Sequence, residues 1–91
     1  MKLICDYFED AQIYIDNKNK VKYKNTPYII VKMDCDNAED EMLLDSFSWE
    51  NNSLDKDWAN EIIHWAKKHI DEILLIWNNQ SDKLISERWN V

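Results

Sequence analysis

The hydrophobic positions of this chain change period once, near residue 50. Before that point the apolar runs are short and rich in strand formers. "KLICDYF" alternates weakly, and "AQIYID" places Ile13 and Ile15 on one face. "PYIIVKMD" is a β-branched run opened by the only proline, which suits the first position of a strand. "EMLLDSFSWE" predicts one or two short strands, with Phe47 and Trp49 on one side and Ser46 and Ser48 on the other. "NNS" then interrupts the pattern. From about Leu54 the spacing becomes helical: Trp58, Ile62, Trp65, His69, Ile73 and Trp77 recur at steps of three or four, joined by Ile63, Ala66, Ile70 and Ile76. Ser53 or Asp55 suits the N-cap, and Asp55 and Asp57 suit the positive end of the helix. The helix should stop near "NNQ", before a short final piece, "DKLISERWN". The expected fold is α+β: a small antiparallel sheet from strands within residues 2–50, packed on one long C-terminal helix over about 54–79, in a single domain spanning 1–91.

Composition narrows the picture. A chain of 91 residues with 45% apolar content has material for one modest core. No apolar run approaches the roughly 18 residues of a membrane span, and "MKLICDYFED" turns acidic where a secretory leader would be apolar. A cytoplasmic location is therefore expected, with Cys5 and Cys35 as reduced thiols; their distance in space is not readable from sequence. Glycine is absent. That excludes phosphate-cradling Gly-rich loops, whose backbone approaches the ligand without a Cβ, and it leaves Asn and Asp to fill left-handed turn positions.

Charge is segregated along the chain. The net charge is −7, but residues 17–33 carry five lysines and no acid, whereas residues 34–57 carry nine acids and one lysine. Such a field repels nucleic acid over most of the surface. Lys18, Lys20, Lys22 and Lys24 fall at every second position, so an extended segment would present them on one side as a solvated edge. Asp34, Asp36, Glu39, Asp40, Glu41, Asp45 and Glu50 form the candidate partner-binding set, and the first five crowd together just after a strand at a cost in self-repulsion.

Specific chemistry is hard to place. His64 and His69 are five residues apart, whereas a helical metal pair needs a spacing of three or four. His69 shares the tryptophan stripe and reads as a half-buried residue bonded to a backbone carbonyl. "DCDNAEDEMLLD" begins like an EF-hand loop at Asp34 and Asp36, yet offers Ala38 at the fifth position, Glu39 at the glycine position and Asp45 at the twelfth. Cys35 lies between two aspartates that disfavour its thiolate. No catalytic residues, metal ligands or cofactor-binding residues are assigned, and no cofactor is expected.

The stretch Ser53–Trp77 resembles the C-terminal half of the bacterial family catalogued as domain of unknown function 4160. The matching positions are Ser53-Leu54, Trp65-Ala66, His69, Glu72-Ile73 and Trp77, without a gap. Pro27 and Val31 fall on a Pro-His-x-His-Val segment of that family, with Tyr28 and Ile30 where its histidines stand. The family's usual glycines and the proline near the helix start, Asp55 here, are also replaced. The resemblance implies a small α+β protein of toxin–antitoxin surroundings. Any chemistry of the family would sit on the histidine pair, which this chain lacks.

The expected function is that of a non-catalytic, acidic interaction protein. It would bind and inhibit or mask a basic, nucleic-acid-binding protein partner in the manner of an inhibitor, antitoxin or anti-defence protein, without touching nucleic acid or membrane itself. The alternative is a toxin-like enzyme acting on RNA or nucleotides. Oligomeric state is not readable from the sequence.

Overall fold

The computed structural model describes residues 1–6, 8–34 and 37–85. Five strands form one antiparallel meander in the order β1-β2-β3-β4-β5: β1 Lys2–Cys5, β2 Ala11–Ile15, β3 Tyr28–Met33, β4 Glu39–Leu43 and β5 Ser48–Trp49. Two helices follow, α1 Lys56–Lys68 and α2 Ile70–Trp77. The α+β class stands. The single long helix over 54–79 does not, because the helix breaks at His69.

His69 adopts φ −111° and ψ 21°, and ends one helix while opening the next. The break does not shift the helical phase. His69 N–H still donates to the Trp65 carbonyl (3.0 Å), and Ile73 N–H to that of His69 (3.0 Å). The apolar stripe therefore runs through the junction, and its periodicity is that of one helix. Asp55 is the observed N-cap, accepting from the Asp57 N–H at 3.1 Å. At the far end, Asn79 takes the left-handed position (φ 60°). Gln80 N–H donates to the Leu75 carbonyl and Asn79 N–H to that of Ile76, a complete Schellman closure with asparagine where glycine is usual.

Most of the core lies on one sheet face, with Tyr28 and Ile30 also buried. Strand register aligns Ala11 with Met33, Ile13 with Val31, Val31 with Asp40, and Ile29 with Met42. Against these residues pack Ile62, Trp65 and Ala66 of α1 and Ile73, Ile76 and Trp77 of α2. Phe8, in the β1–β2 turn, meets Trp58 and Trp65 edge-on at centroid distances of 5.8 and 6.2 Å. Cys5 is buried in β1, and Cys35 lies outside the described residues. The final piece lies along β1, where Ile85 is buried and its N–H donates to the Ile4 carbonyl at 2.8 Å; residues 86–90 of "DKLISERWN" lie outside the described residues.

Two further expectations change. Phe47 is not a strand residue: it sits in the β4–β5 turn at φ 54°, under the Lys67 ammonium, 5.5 Å from its ring. The lysine segment is not extended. Consecutive turns (Asn19 N–H to Asp16, Lys22 to Asn19, Lys24 to Val21, Thr26 to Tyr23) fold it compactly, with Lys24 and Asn25 left-handed. Its lysines therefore diverge: Lys20 lies over Trp77 and Lys22 reaches Glu41.

Trp65 is 1% exposed at the centre of this packing. Trp65→Ala is expected to cost about 3–5 kcal/mol, read from the urea midpoint at unchanged slope. An unchanged midpoint would mean that the stripe carries no stability.

Candidate functional site: an acidic hollow on β4

The seven acids singled out in the sequence have different fates. Asp36 lies outside the described residues. Asp34 is exposed in the β3–β4 turn and accepts from the Gln12 amide at 3.1 Å. Asp45 is exposed in the β4–β5 turn, at the other end of β4 from Glu39. Glu39, Asp40, Glu41 and Glu50 come together around a hollow of about 290 Å³, completed by Lys22, Tyr23 and Asn51.

Alternation along β4 divides these residues. Glu39 and Glu41 share the outer face, aligned with Lys32 and Ile30, whereas Asp40 shares parity with Met42 and points to the core side. Asp40 is 1% exposed. Its Oδ1 accepts the N–H of Glu41 (2.7 Å) and of Asn51 (2.9 Å), and its Oδ2 that of Ser53 (3.0 Å). Ser53 Oγ adds a bond to the Glu39 carbonyl at 2.7 Å. Asp40 is thus a backbone clamp that ties β4 to the chain entering α1. It is withdrawn from the partner-binding surface, because it is 1% exposed and its carboxylate accepts three backbone N–H groups.

Glu41 is half-buried and already engaged. Its Oε2 takes the Lys22 ammonium at 2.7 Å, with side-chain exposures of 40% for the lysine and 14% for the acid. Its Oε1 accepts the Tyr23 hydroxyl. Tyr23 also stacks edge-on upon Tyr28 at 5.0 Å, so the lysine loop covers the outer face of β3 and β4. The bond to Glu41 raises the Lys22 pKa above its ordinary 10.5, against a lowering by desolvation, and the charge of Glu39 adds to the rise. Burial, then the bond to Glu41 and the charges of Glu41 and Glu50, push the Tyr23 phenol well above its ordinary 10.0.

Sequence reasoning missed a second group of acids. A meander returns alternate turns to the same end of the sheet. The β1–β2 turn, with exposed Asp6, Glu9 and Asp10, therefore lies beside the β3–β4 turn, and Asp34 N–H donates to the Asp10 carbonyl at 2.9 Å. The contact of Phe8 with Trp58 brings the start of α1 to this end, where Asp55, Asp57, Trp58 and Glu61 line a hollow of about 240 Å³. The signal was available in the alternation of turns, once five consecutive hairpin strands were assumed.

The histidines diverge. His64 is exposed on α1, whereas His69 sits at the helix junction with Nδ1 2.8 Å from Glu72 and its ring 5.6 Å from that of Trp65. The described residues contain no cluster of three or more metal-ligating side chains, and no helix among them is long and apolar enough to cross a membrane. Tyr28 and Ile30, at the positions where the resemblance implies histidines, are 1% and 4% exposed on the outer face. Comparison of the chain with protein-family models, with curated proteins and with solved structures returns no match.

Two outcomes follow from this geometry. Asp40→Asn keeps the shape but turns an amide donor toward donors, so a loss of about 1–3 kcal/mol is expected, against less than about 0.5 kcal/mol for exposed Glu39→Gln; paired urea titrations compare them. The second concerns alkaline pH. Both Lys22 and Tyr23 have folded pKa values above their unfolded ones, so their stabilisation is complete below about pH 10 and is lost as pH rises through the folded values. Tyr23→Phe should make the fall in stability above about pH 10 shallower than in the wild type. An identical alkaline slope in both proteins would contradict this.

Proposed function

We propose that this chain is a non-catalytic, acidic interaction protein that captures a basic, nucleic-acid-binding protein and masks the surface with which that partner grips phosphate. It acts in the cytoplasm as an inhibitor or antitoxin-type partner. One observation carries the reading: the hollow on β4 presents Glu39 and Glu50 exposed beside Glu41, which holds an ammonium in place. The arrangement suits lysine or arginine side chains. The acids gathered at the neighbouring end of the sheet extend the negative field, which steers a basic partner and speeds its encounter.

The test is release of RNA. A labelled single-stranded RNA is bound to a short arginine–serine peptide, the protein is added, and anisotropy is followed at low salt and at about 0.15 M salt. Released, intact RNA is expected, with a weaker effect at the higher salt. The double variant Glu39→Gln/Glu50→Gln should need several-fold more protein for the same release, while its stability stays within roughly 1 kcal/mol of wild type. Release indifferent to salt and to both substitutions would sink the electrostatic reading. Cleaved RNA would favour the toxin-like enzyme instead.

A further inference from the structure

We propose that residues 81–85 form an exchangeable strap: two copies of this chain trade these segments, each docking its own on the β1 edge of the other. The strap follows α2 after a hinge of three residues, 78–80, and lies on β1 with no helix or strand of its own. Three contacts hold it. Ile85 is buried in the same core cluster as Ile4, its N–H donates to the Ile4 carbonyl at 2.8 Å, and the exposed Asp82 pairs with Lys2. A second copy's strap reproduces each of these contacts, because the two sequences are identical. The closed and exchanged forms therefore differ chiefly at the hinge, and the hinge sets the balance between them.

That hinge is strained when closed. Asn79 holds φ 60°, a left-handed position that a residue with a Cβ occupies at a cost. Straightening α2 through the hinge removes the cost without losing a backbone bond. Closed, the Gln80 N–H donates to the Leu75 carbonyl and the Asn79 N–H to that of Ile76. In a continued helix the same two donors and two acceptors change partners, Gln80 with Ile76 and Asn79 with Leu75. Opposing this is Asn17, whose Nδ2 donates to the Asn79 Oδ1 at 2.7 Å and to the Ile76 carbonyl at 3.1 Å. A short hinge under strain favours exchange between copies. The surface points the same way. Four large apolar side chains are exposed among the described residues, and three belong to this region: Met1 before β1, Leu75 in α2 and Leu84 in the strap. Met1 and Asn79 line one hollow of about 250 Å³. A second copy seated at this end of the molecule gives those side chains apolar neighbours.

The test compares wild type, Asn79→Gly and Asn79→Ala, each refolded from urea at millimolar concentration and read by sedimentation velocity. Glycine relieves the closed hinge and resists helix, so its dimer fraction should fall several-fold below that of wild type. Alanine does the reverse and should raise it several-fold. Wild type against Asn79→Gly carries the comparison by itself if the alanine variant does not fold. A second measurement tells exchange from ordinary association. Wild-type dimer is assembled from an equal mixture of isotope-labelled and unlabelled chains, and an NMR contact between Ile4 of one chain and Ile85 of the other is expected. Monomer throughout, equal dimer fractions in wild type and Asn79→Gly, or a dimer whose Ile4–Ile85 contact stays within each chain overturns the proposal.

Discussion

Much of the fold hangs on one carboxylate that barely meets water. Asp40 gathers three backbone N–H groups from its own strand and from the segment after β5. With β5 only two residues long, strand pairing alone holds that segment weakly. The carboxylate supplies what the missing ladder bonds would have supplied, and charge-assisted bonds to backbone N–H are the stronger kind. It thereby fixes where the chain turns toward Asp55 and where α1 begins. It also borders the acidic hollow from below, so the same residue underlies that hollow and fixes the start of α1.

The parts of this fold that were legible in the sequence are those where period and burial agree. β2 shows strict alternation, β3 follows directly upon Pro27, and Trp65 and Trp77 lie on the buried stripe. The helix break was illegible because His69 leaves the regular conformation without moving the stripe out of phase. The lysine loop was misread because spacing by two implies one face only in extended chain, and left-handed Lys24 and Asn25 belong to turns. Asp40 was readable in principle. It shares parity with Met42 and Leu44, and treating "EDEMLL" as a strand separates it from Glu39 and Glu41. Composition hid that by counting the acids together.

Linear charge blocks became something different in three dimensions. The lysine block and the acidic block adjoin in sequence, and the meander folds the first across the second at Lys22 and Glu41. The N-terminal acids, which belong to neither block, join Asp34 through the pairing of turns. A sum over the sequence gives a diffuse excess of negative charge; the fold turns it into one hollow with a guarded carboxylate and one acid-rich end.

The glycine-free backbone has a consequence for the state the protein leaves when it folds. Lys24, Asn25, Asn37, Phe47, Asn52 and Asn79 all hold positive φ, and each non-glycine residue in that region costs on the order of 1 kcal/mol. A glycine at those sites would remove the strain, but it would also widen the range of conformations open to the unfolded chain, by a similar amount of free energy. The two effects oppose each other. The chain carries its turn strain in the native state and draws the compensation from a stiffer denatured ensemble, so a protein without a single glycine need be no less stable than one that uses glycine at every turn.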